Sequence, residues 1–220
     1  MSRWPLTEVS EAEGIREEHV HDPGFDLALR CREGDEAAWS ELYLGHGRRV
    51  ASFLRRLVGN TRDLEDLVQQ VFVELLSCLE DFRGDARFGT FVLGVATHVA
   101  ETYLRREFRW RRRKVAWRQW NDAGPSLGPD PAAGAQAREI LTVTFGVLAQ
   151  MDLGHRAVWT LSDVEGLDSE EVSKALRIPA GTVRSRLFHA RRRVAAALVG
   201  AGLEVPASRG WRPGTAGRGE

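Results

Sequence analysis

The sequence is poor in cysteine and has no long hydrophobic run, and both absences narrow the classes of protein it can belong to. Its 220 residues include only two cysteines, Cys31 and Cys78, which lie far apart and outside any metal-ligand spacing. They predict neither a disulfide framework nor a cysteine-based zinc site. No segment approaches the ~20 consecutive apolar residues of a membrane helix, and the first residues lack the apolar core of a signal peptide. We expect a cytoplasmic protein that does not insert into a membrane.

Signatures of catalysis are also missing. The chain contains no P-loop, no nucleophile elbow and no cluster of His, Asp and Glu at metal-ligand spacing. We therefore predict a protein that is not an enzyme and that holds no cofactor and no metal. The composition is that of a globular protein, with 43% hydrophobic and 28% charged residues.

The chain has no net charge, yet its charges are unevenly placed. The 31 basic and 31 acidic residues cancel, which argues against strong nonspecific binding to nucleic acid. Residues 1–24 carry 2 basic and 6 acidic groups. By contrast, residues 109–120 carry 6 basic groups and residues 180–193 carry five arginines, in both cases without an acid. Two separated basic segments indicate anionic partners at two places.

Apolar residues recur at helical spacing through most of the chain, so the sequence predicts an all-α protein. A stretch rich in proline and glycine interrupts this pattern and divides it into two small helical domains. The predicted segments are a disordered acidic leader (1–24), a first domain with a basic helical extension (25–120), a flexible linker (121–137), a second domain (138–199) and a disordered tail (200–220).

The second domain has the pattern of a helix-turn-helix. Asp168 and Glu171 form a capping box at the start of a short helix that ends before Pro179, and a longer helix follows. With Val183 and Leu187 directed inward, the longer helix presents a basic face that suits base edges and phosphates. An ordinary solvated helix is the alternative, and five arginines without an acid disfavour it. The candidate DNA-binding residues are Thr182, Arg184, Ser185, Arg186, His189 and Arg192.

The first domain offers two further surfaces, which the residue pattern alone leaves ambiguous. The loop over 82–88 combines aromatic, basic and small residues and could hold an unstacked base, but the spacing alone favours a surface loop with two core phenylalanines. The helix that begins near Thr90 carries a second face with Gly94, Thr97, His98, Glu101 and Arg105. The helix over 63–82 buries an apolar stripe that includes Leu76, and its polar face is either simply solvated or docks on a basic partner. That polar face comprises Asp63, Glu65, Asp66, Gln69, Gln70 and Glu74.

Two long strings resemble a known family, in the order that this family has them. Residues 63–106, DLEDLVQQVFVELLSCLEDFRGDARFGTFVLGVATHVAETYLRR, resemble region 2 of bacterial sigma factors of the extracytoplasmic-function (ECF) branch. Residues 148–194, LAQMDLGHRAVWTLSDVEGLDSEEVSKALRIPAGTVRSRLFHARRRV, resemble their region 4. The resemblance covers about residues 25–108 and 138–198 and excludes the leader, the linker and the tail.

This resemblance implies a role for each surface. In the family, the helix matching 63–82 docks on the clamp helices of the largest subunit of core RNA polymerase, which assigns polymerase binding to its polar face. The loop matching 82–88 and the helix matching 90–106 capture the non-template strand of the −10 element. The helix matching 180–193 reads the −35 duplex, and region 4 rests on the flap of the second-largest subunit. An anti-sigma factor is a further candidate partner. The −10 residues implied are Arg83, Asp85, Arg87, Phe88, Thr90, Thr97, His98 and Arg105.

Three positions depart from the family pattern. Phe91 stands where a tryptophan is usual and keeps an aromatic core residue. His98 stands where an asparagine is common, on the side that faces the melted strand, and this predicts an altered −10 preference. Arg177 replaces the common glycine of the turn, which leaves the geometry of that turn open.

One alternative function remains after the resemblance. A free-standing helix-turn-helix regulator would bind duplex DNA without polymerase, but it needs a dimerisation surface and leaves the 63–106 pattern unexplained.

An aromatic stripe extends the helical pattern past Arg113. It consists of Tyr103, Trp110 and Trp117, which recur at sevenfold spacing. They indicate a basic helix that follows DNA or polymerase, an aromatic stripe that packs on the domain or, less strongly, an amphipathic helix on a membrane surface.

Overall fold

The computed structural model describes residues 22–113 and 134–205, and within these ranges the protein is helical without a strand. Two short irregular turns of helix, 3-10 over Leu79–Asp81 and π over Thr160–Val164, join the longer elements. The predictions for residues 1–21, 114–133 and 206–220 lie outside the described residues. The helices are α1 Pro23–Arg32, α2 Glu36–Val58, α3 Leu64–Cys78, α4 Phe88–Arg113, α5 Ala135–Ala149, α6 Leu153–Trp159, α7 Ser169–Leu176 and α8 Ala180–Gly200.

Aspartates begin several of these helices for a local reason: their carboxylates accept hydrogen bonds from the first main-chain N–H groups, which have no partner within the helix. Asp35 caps α2 in this way, and Asp168 and Glu171 form the predicted capping box at α7. Asp22 caps α1 and also accepts a hydrogen bond from the N–H of Phe88 at the start of α4. Asp22 thereby joins the start of α1 to the start of α4, and α5 begins at Ala135.

Helices α1 to α4 form the first domain around a core of large aliphatic and aromatic side chains. The apolar stripe of α3 is buried as predicted at Val71 and Leu75, but Leu76 is 58% exposed, so the stripe is narrower than predicted. Three aromatic rings of this core pack together: the ring centroid of Phe82 lies 5.2 Å from that of Phe88 and 5.0 Å from that of Phe91.

Helices α5 to α8 form the second domain, in which α7 and α8 are the predicted helix-turn-helix. Phe145, Leu148, Met151 and Leu198 belong to a cluster that joins α5 to α8. The turn between α7 and α8 is made at Arg177, whose φ of 51° places it in the left-handed region. The turn thus keeps a geometry that usually favours glycine, although an arginine occupies the position.

The two domains pack against each other. One continuous core cluster contains residues of both, since Val158, Leu161 and Val172 of the second domain join the core of the first. The sequence indicated two domains and a linker, and it carried no signal for this contact. Within the described ranges, no helix combines the length and hydropathy needed to cross a membrane.

Candidate nucleic-acid and polymerase interfaces

The outward face of α8 has the residues that the sequence predicted. Val183, Leu187, Ala190 and Val194 are buried against the rest of the domain. On the opposite side, Arg184, Ser185, His189 and Arg192 are exposed, while Thr182 and Arg186 are half-buried. This arrangement follows from the helical period of 3.6 residues, which separates the buried stripe from the basic face.

One arginine of this segment does not belong to the basic face. Arg191 points back into the domain, where its guanidinium donates to the carboxylate of Asp163 at 2.7 and 3.0 Å. The Arg191 side chain is 11% exposed and the Asp163 side chain 6% exposed. The pair therefore joins α8 to the π-helical turn over Thr160–Val164. Sequence reasoning counted Arg191 only as a basic residue, because nothing in the local pattern links it to an acid so far away in the chain.

An aromatic residue on the same face was missed. Phe188 is 53% exposed, and its ring lies 5.6 Å from that of His189. An exposed phenylalanine beside arginines suits contact with a thymine methyl group in the major groove. Its position one helical turn after Arg184 is the signal that could have identified it.

The loop before α4 exposes Arg83, Asp85 and Arg87, in agreement with the sequence. Phe88, by contrast, is fully buried, and its ring packs against Phe82, Phe91 and, edge to face at 5.9 Å, His46. The Phe88 ring thus belongs to the aromatic core in this arrangement, and its contact with DNA stays a prediction.

The strip along α4 is only partly available. Thr90 is buried in this arrangement, and its contact with DNA stays a prediction. Thr97 is half-buried and donates its hydroxyl hydrogen to the carbonyl of Leu93 at 2.9 Å. His98 is half-buried, and Arg105 is exposed with Glu101 as its ion-pair partner. The C-terminal half of the strip is thus the accessible half.

The predicted polar face of α3 is present and has an apolar neighbour that the sequence did not indicate. Asp63, Glu65, Asp66, Gln69 and Gln70 are exposed, and Glu74 is half-buried and accepts a hydrogen bond from Gln70 at 3.0 Å. Val73 and Leu76 are exposed on the same helix, and Tyr43 of α2, which is also exposed, has its ring 4.9 Å from that of Phe72. Exposed apolar side chains with a polar rim mark a protein-docking surface.

Comparisons with known proteins identify the family of each domain. Residues 42–112 match the family model of Sigma-70 region 2, and residues 147–194 match that of Sigma-70 region 4. The chain is 30% identical over 170 residues to the ECF RNA polymerase sigma-E factor of Haemophilus influenzae, and the alignment covers 75% of this chain and 89% of the relative. It is 29% identical over 170 residues to the sigma-E factor of Escherichia coli K12, with 75% and 88% covered.

Solved structures show the same fold. The structure of CnrH in complex with the cytosolic domain of CnrY has a TM-score of 0.55 and 22% identity, and the match covers 80% of this chain and 96% of the other. The sigma factor RpoE in complex with the anti-sigma factor NepR from Bartonella quintana has a TM-score of 0.61 and 16% identity, with 73% and 96% covered.

A helical domain of region 2 type followed by a helix-turn-helix of region 4 type defines a sigma factor, a non-catalytic transcription initiation factor. The chain belongs to the ECF family of RNA polymerase sigma factors. It is accordingly an alternative sigma factor, which binds core RNA polymerase and promoter DNA and directs transcription initiation. The region 2 match accounts for the pattern that a free-standing helix-turn-helix regulator left unexplained.

Proposed function

We propose that the two domains read the promoter through separate surfaces, region 4 on the −35 duplex and region 2 on the melted −10 strand. The observation that carries this proposal is the exposed basic face of α8, held in place by the buried pair of Asp163 and Arg191. Arg184, Ser185, His189 and Arg192 contact base edges and phosphates of the −35 element, with Thr182 and Arg186 at the margins and Phe188 beside thymine methyl groups.

The −10 strand contacts the exposed loop residues Arg83, Asp85 and Arg87 and the accessible half of the α4 strip. Thr97, His98 and Arg105 line that half. A flipped or unstacked base needs hydrogen-bonding groups that reach its edge, and these side chains supply them. Phe88 and Thr90 remain predicted −10 residues, and both are buried in this arrangement.

The α3 surface docks on the clamp helices of the largest polymerase subunit. Its acidic residues steer the approach to a basic surface, while Tyr43, Val73 and Leu76 supply apolar area that becomes buried. Region 4 rests on the flap of the second-largest subunit. We further propose that the protein works in the cytoplasm without catalysis of its own. We also propose that an anti-sigma factor regulates it, since one solved structure of the same fold is a sigma factor in complex with the anti-sigma factor NepR.

A promoter library with randomised −10 and −35 elements tests the two-surface proposal. Holoenzymes with the unaltered chain, Arg184→Ala or His98→Asn select templates in run-off transcription. Arg184→Ala removes a base contact, which costs about 1–3 kcal/mol and relaxes preference at one −35 position. His98→Asn shifts the preferred −10 base and leaves the −35 element alone. A −35 change from His98→Asn, or a −10 change from Arg184→Ala, contradicts the assignment.

A further inference from the structure

The start of α6 lies beside one flank of the basic face of α8. Arg186 and His189 are three residues apart on α8, so they share that flank. A Cβ atom built on Gly154 of α6 would lie 2.9 Å from Nη1 of Arg186, and the ring of His155 lies 6.3 Å from that of His189, edge to face. The surface around the outward face of α8 therefore continues onto α6, outside the helix-turn-helix.

Asp152 holds the side chain of His155 in one orientation. One carboxylate oxygen accepts a hydrogen bond from the main-chain N–H of His155 at 3.1 Å, and the other lies 2.6 Å from Nδ1 of the imidazole. Burial would raise the pKa of Asp152, but the two hydrogen bonds and the charges of His155 and Arg186 hold this pKa below its usual value. Because an ionised carboxylate can only accept, Nδ1 carries a hydrogen and donates it.

This hydrogen bond determines what the other ring nitrogen, Nε2, can do. When the imidazole is neutral and its hydrogen is on Nδ1, Nε2 is an acceptor and cannot bind a phosphate oxygen, which is also an acceptor. When the imidazole is protonated, Nε2 donates, and the carboxylate of Asp152 stabilises the added charge. His155 can therefore bind a phosphate only as the imidazolium.

The groups around the imidazole make its charge decisive. In the described part of the chain, the acid Asp152 faces it from the turn before α6, and Arg186 and His189 face it from α8. Arg156, the next residue on α6, points the other way and donates to main-chain carbonyls at the end of α5. A neutral His155 leaves the charge of Asp152 to repel DNA, whereas a protonated His155 cancels that charge beside Arg186.

The place of this group corresponds to a wall of the major groove. An α-helix with its side chains is about 10–12 Å across and the groove is about 12 Å wide, so phosphates border both flanks of a helix in the groove. In helix-turn-helix proteins, a helix other than the reading helix crosses the DNA backbone. Since 29% of the His155 side chain is exposed, a phosphate on the α6 side of α8 can reach it.

We propose that His155, held by Asp152, forms with Arg186 a binding site for a phosphate of the −35 duplex, outside the reading face of α8. The inference rests on the proposed function of α8. A phosphate contact positions the protein without reading a base, so this site adds affinity and no base preference. Because the contact needs the imidazolium, it weakens as pH increases from about 6 to about 8, the range in which histidines lose their proton.

Three variants of the holoenzyme test this site. His155→Gln cannot be protonated, His155→Arg carries a permanent charge, and Asp152→Asn keeps a helix cap without the carboxylate charge. Affinities are measured at about pH 6 and about pH 8 on a promoter selected from the randomised library and on the same promoter without its −35 segment. Both templates have a pre-melted −10 element, which keeps binding measurable. His21→Gln, the same exchange outside the described ranges, is the control and behaves as the unaltered chain.

The expected results differ between the two pH values. At about pH 6, His155→Gln binds the full promoter about tenfold more weakly than the unaltered holoenzyme, and its slope of log affinity against log salt is smaller by about one. At about pH 8 these two bind about equally, and His155→Arg binds about tenfold more tightly than either. Asp152→Asn moves the pH dependence to lower pH, since the imidazolium loses its carboxylate. His189 is present in every variant, so its own protonation does not contribute to these differences.

Equal affinities of His155→Gln, His155→Arg and the unaltered holoenzyme for the full promoter at both pH values overturn the proposal. The same differences on the template without a −35 segment overturn it as well. A gain of affinity in His155→Arg cannot come from a folding defect, so this variant keeps the test decisive if His155→Gln is unstable. If the Arg184→Ala holoenzyme also keeps its −35 preference, then the proposed function of α8 itself fails; if that preference relaxes, only the phosphate site fails.

Discussion

The buried pair of Asp163 and Arg191 decides how firmly the −35 reading helix is held, and its loss has a predictable cost. Asp163→Ala leaves the guanidinium of Arg191 buried without the carboxylate that accepts its two hydrogen bonds at 2.7 and 3.0 Å. Removal of one partner of a buried ion pair costs about 3–5 kcal/mol. The Arg191 side chain keeps 11% exposure and can turn its head toward water, so we expect the lower end, about 3 kcal/mol.

Hydrogen exchange of the α8 amides in the full chain measures this effect locally. A loss of about 3 kcal/mol in local stability accelerates exchange about a hundredfold. The −35 affinity falls in parallel, but the preferred bases stay the same because the outward face is intact. Glu170→Ala, which removes an exposed carboxylate on α7, is the matched control.

A double variant separates the loss of the pair from the loss of packing. Asp163→Leu with Arg191→Met replaces the ion pair by apolar side chains of similar size, and such replacements are often neutral. We expect it to restore most of the protection. Unchanged exchange in Asp163→Ala, or an altered −35 base preference with α8 still protected, refutes the reasoning.

Three further predictions concern polymerase docking and pH. The double variant Asp66→Lys with Glu74→Lys weakens core binding several-fold at low salt and less at high salt, because charge steering is screened; unchanged affinity in a folded protein contradicts the docking assignment. Leu76→Asp weakens core binding at both salt concentrations, since it removes apolar area from the interface, and equilibrium titration of labelled protein measures it. Burial lowers the pKa of His46 below 6.5, the charge of Arg49 adds to the shift and that of Asp22 opposes it. As pH falls below about 6.5, His46 is protonated in the unfolded chain before it is protonated in the folded protein, so the free energy of unfolding decreases as pH decreases. His46→Gln reduces this pH dependence, which urea titrations at several pH values measure. An equal pH dependence in the two proteins refutes the assignment.

Local patterns in the sequence were sufficient for the helices and for the division of α8 into a buried and an exposed face. The capping box of Asp168 and Glu171 and the cap at Asp35 depend on residues a few positions apart, so they can be read directly from the chain. The division of α8 into a buried stripe with Val183 and a basic face with Arg184 depends only on the helical period.

Features that depend on distant segments could not be read in this way. Phe88 is buried because α1 and α2 reach it, through the carboxylate of Asp22 and the ring of His46. Arg191 is withdrawn from the basic face because Asp163 lies behind it. Gly94 has no room for a side chain because Ala175 of α7, far along the chain, lies against it. Each case needs a tertiary contact, and no periodic pattern encodes one.

Run-off transcription with core RNA polymerase tests the central claim most directly. The template is a promoter selected from the randomised library, and matched templates carry either a scrambled −10 or a scrambled −35 element. The account predicts a discrete transcript only when core polymerase and this protein are both present, and its loss when either element is scrambled. Specific transcription that persists with both elements scrambled, or the absence of any transcript from a holoenzyme shown to form, contradicts the account.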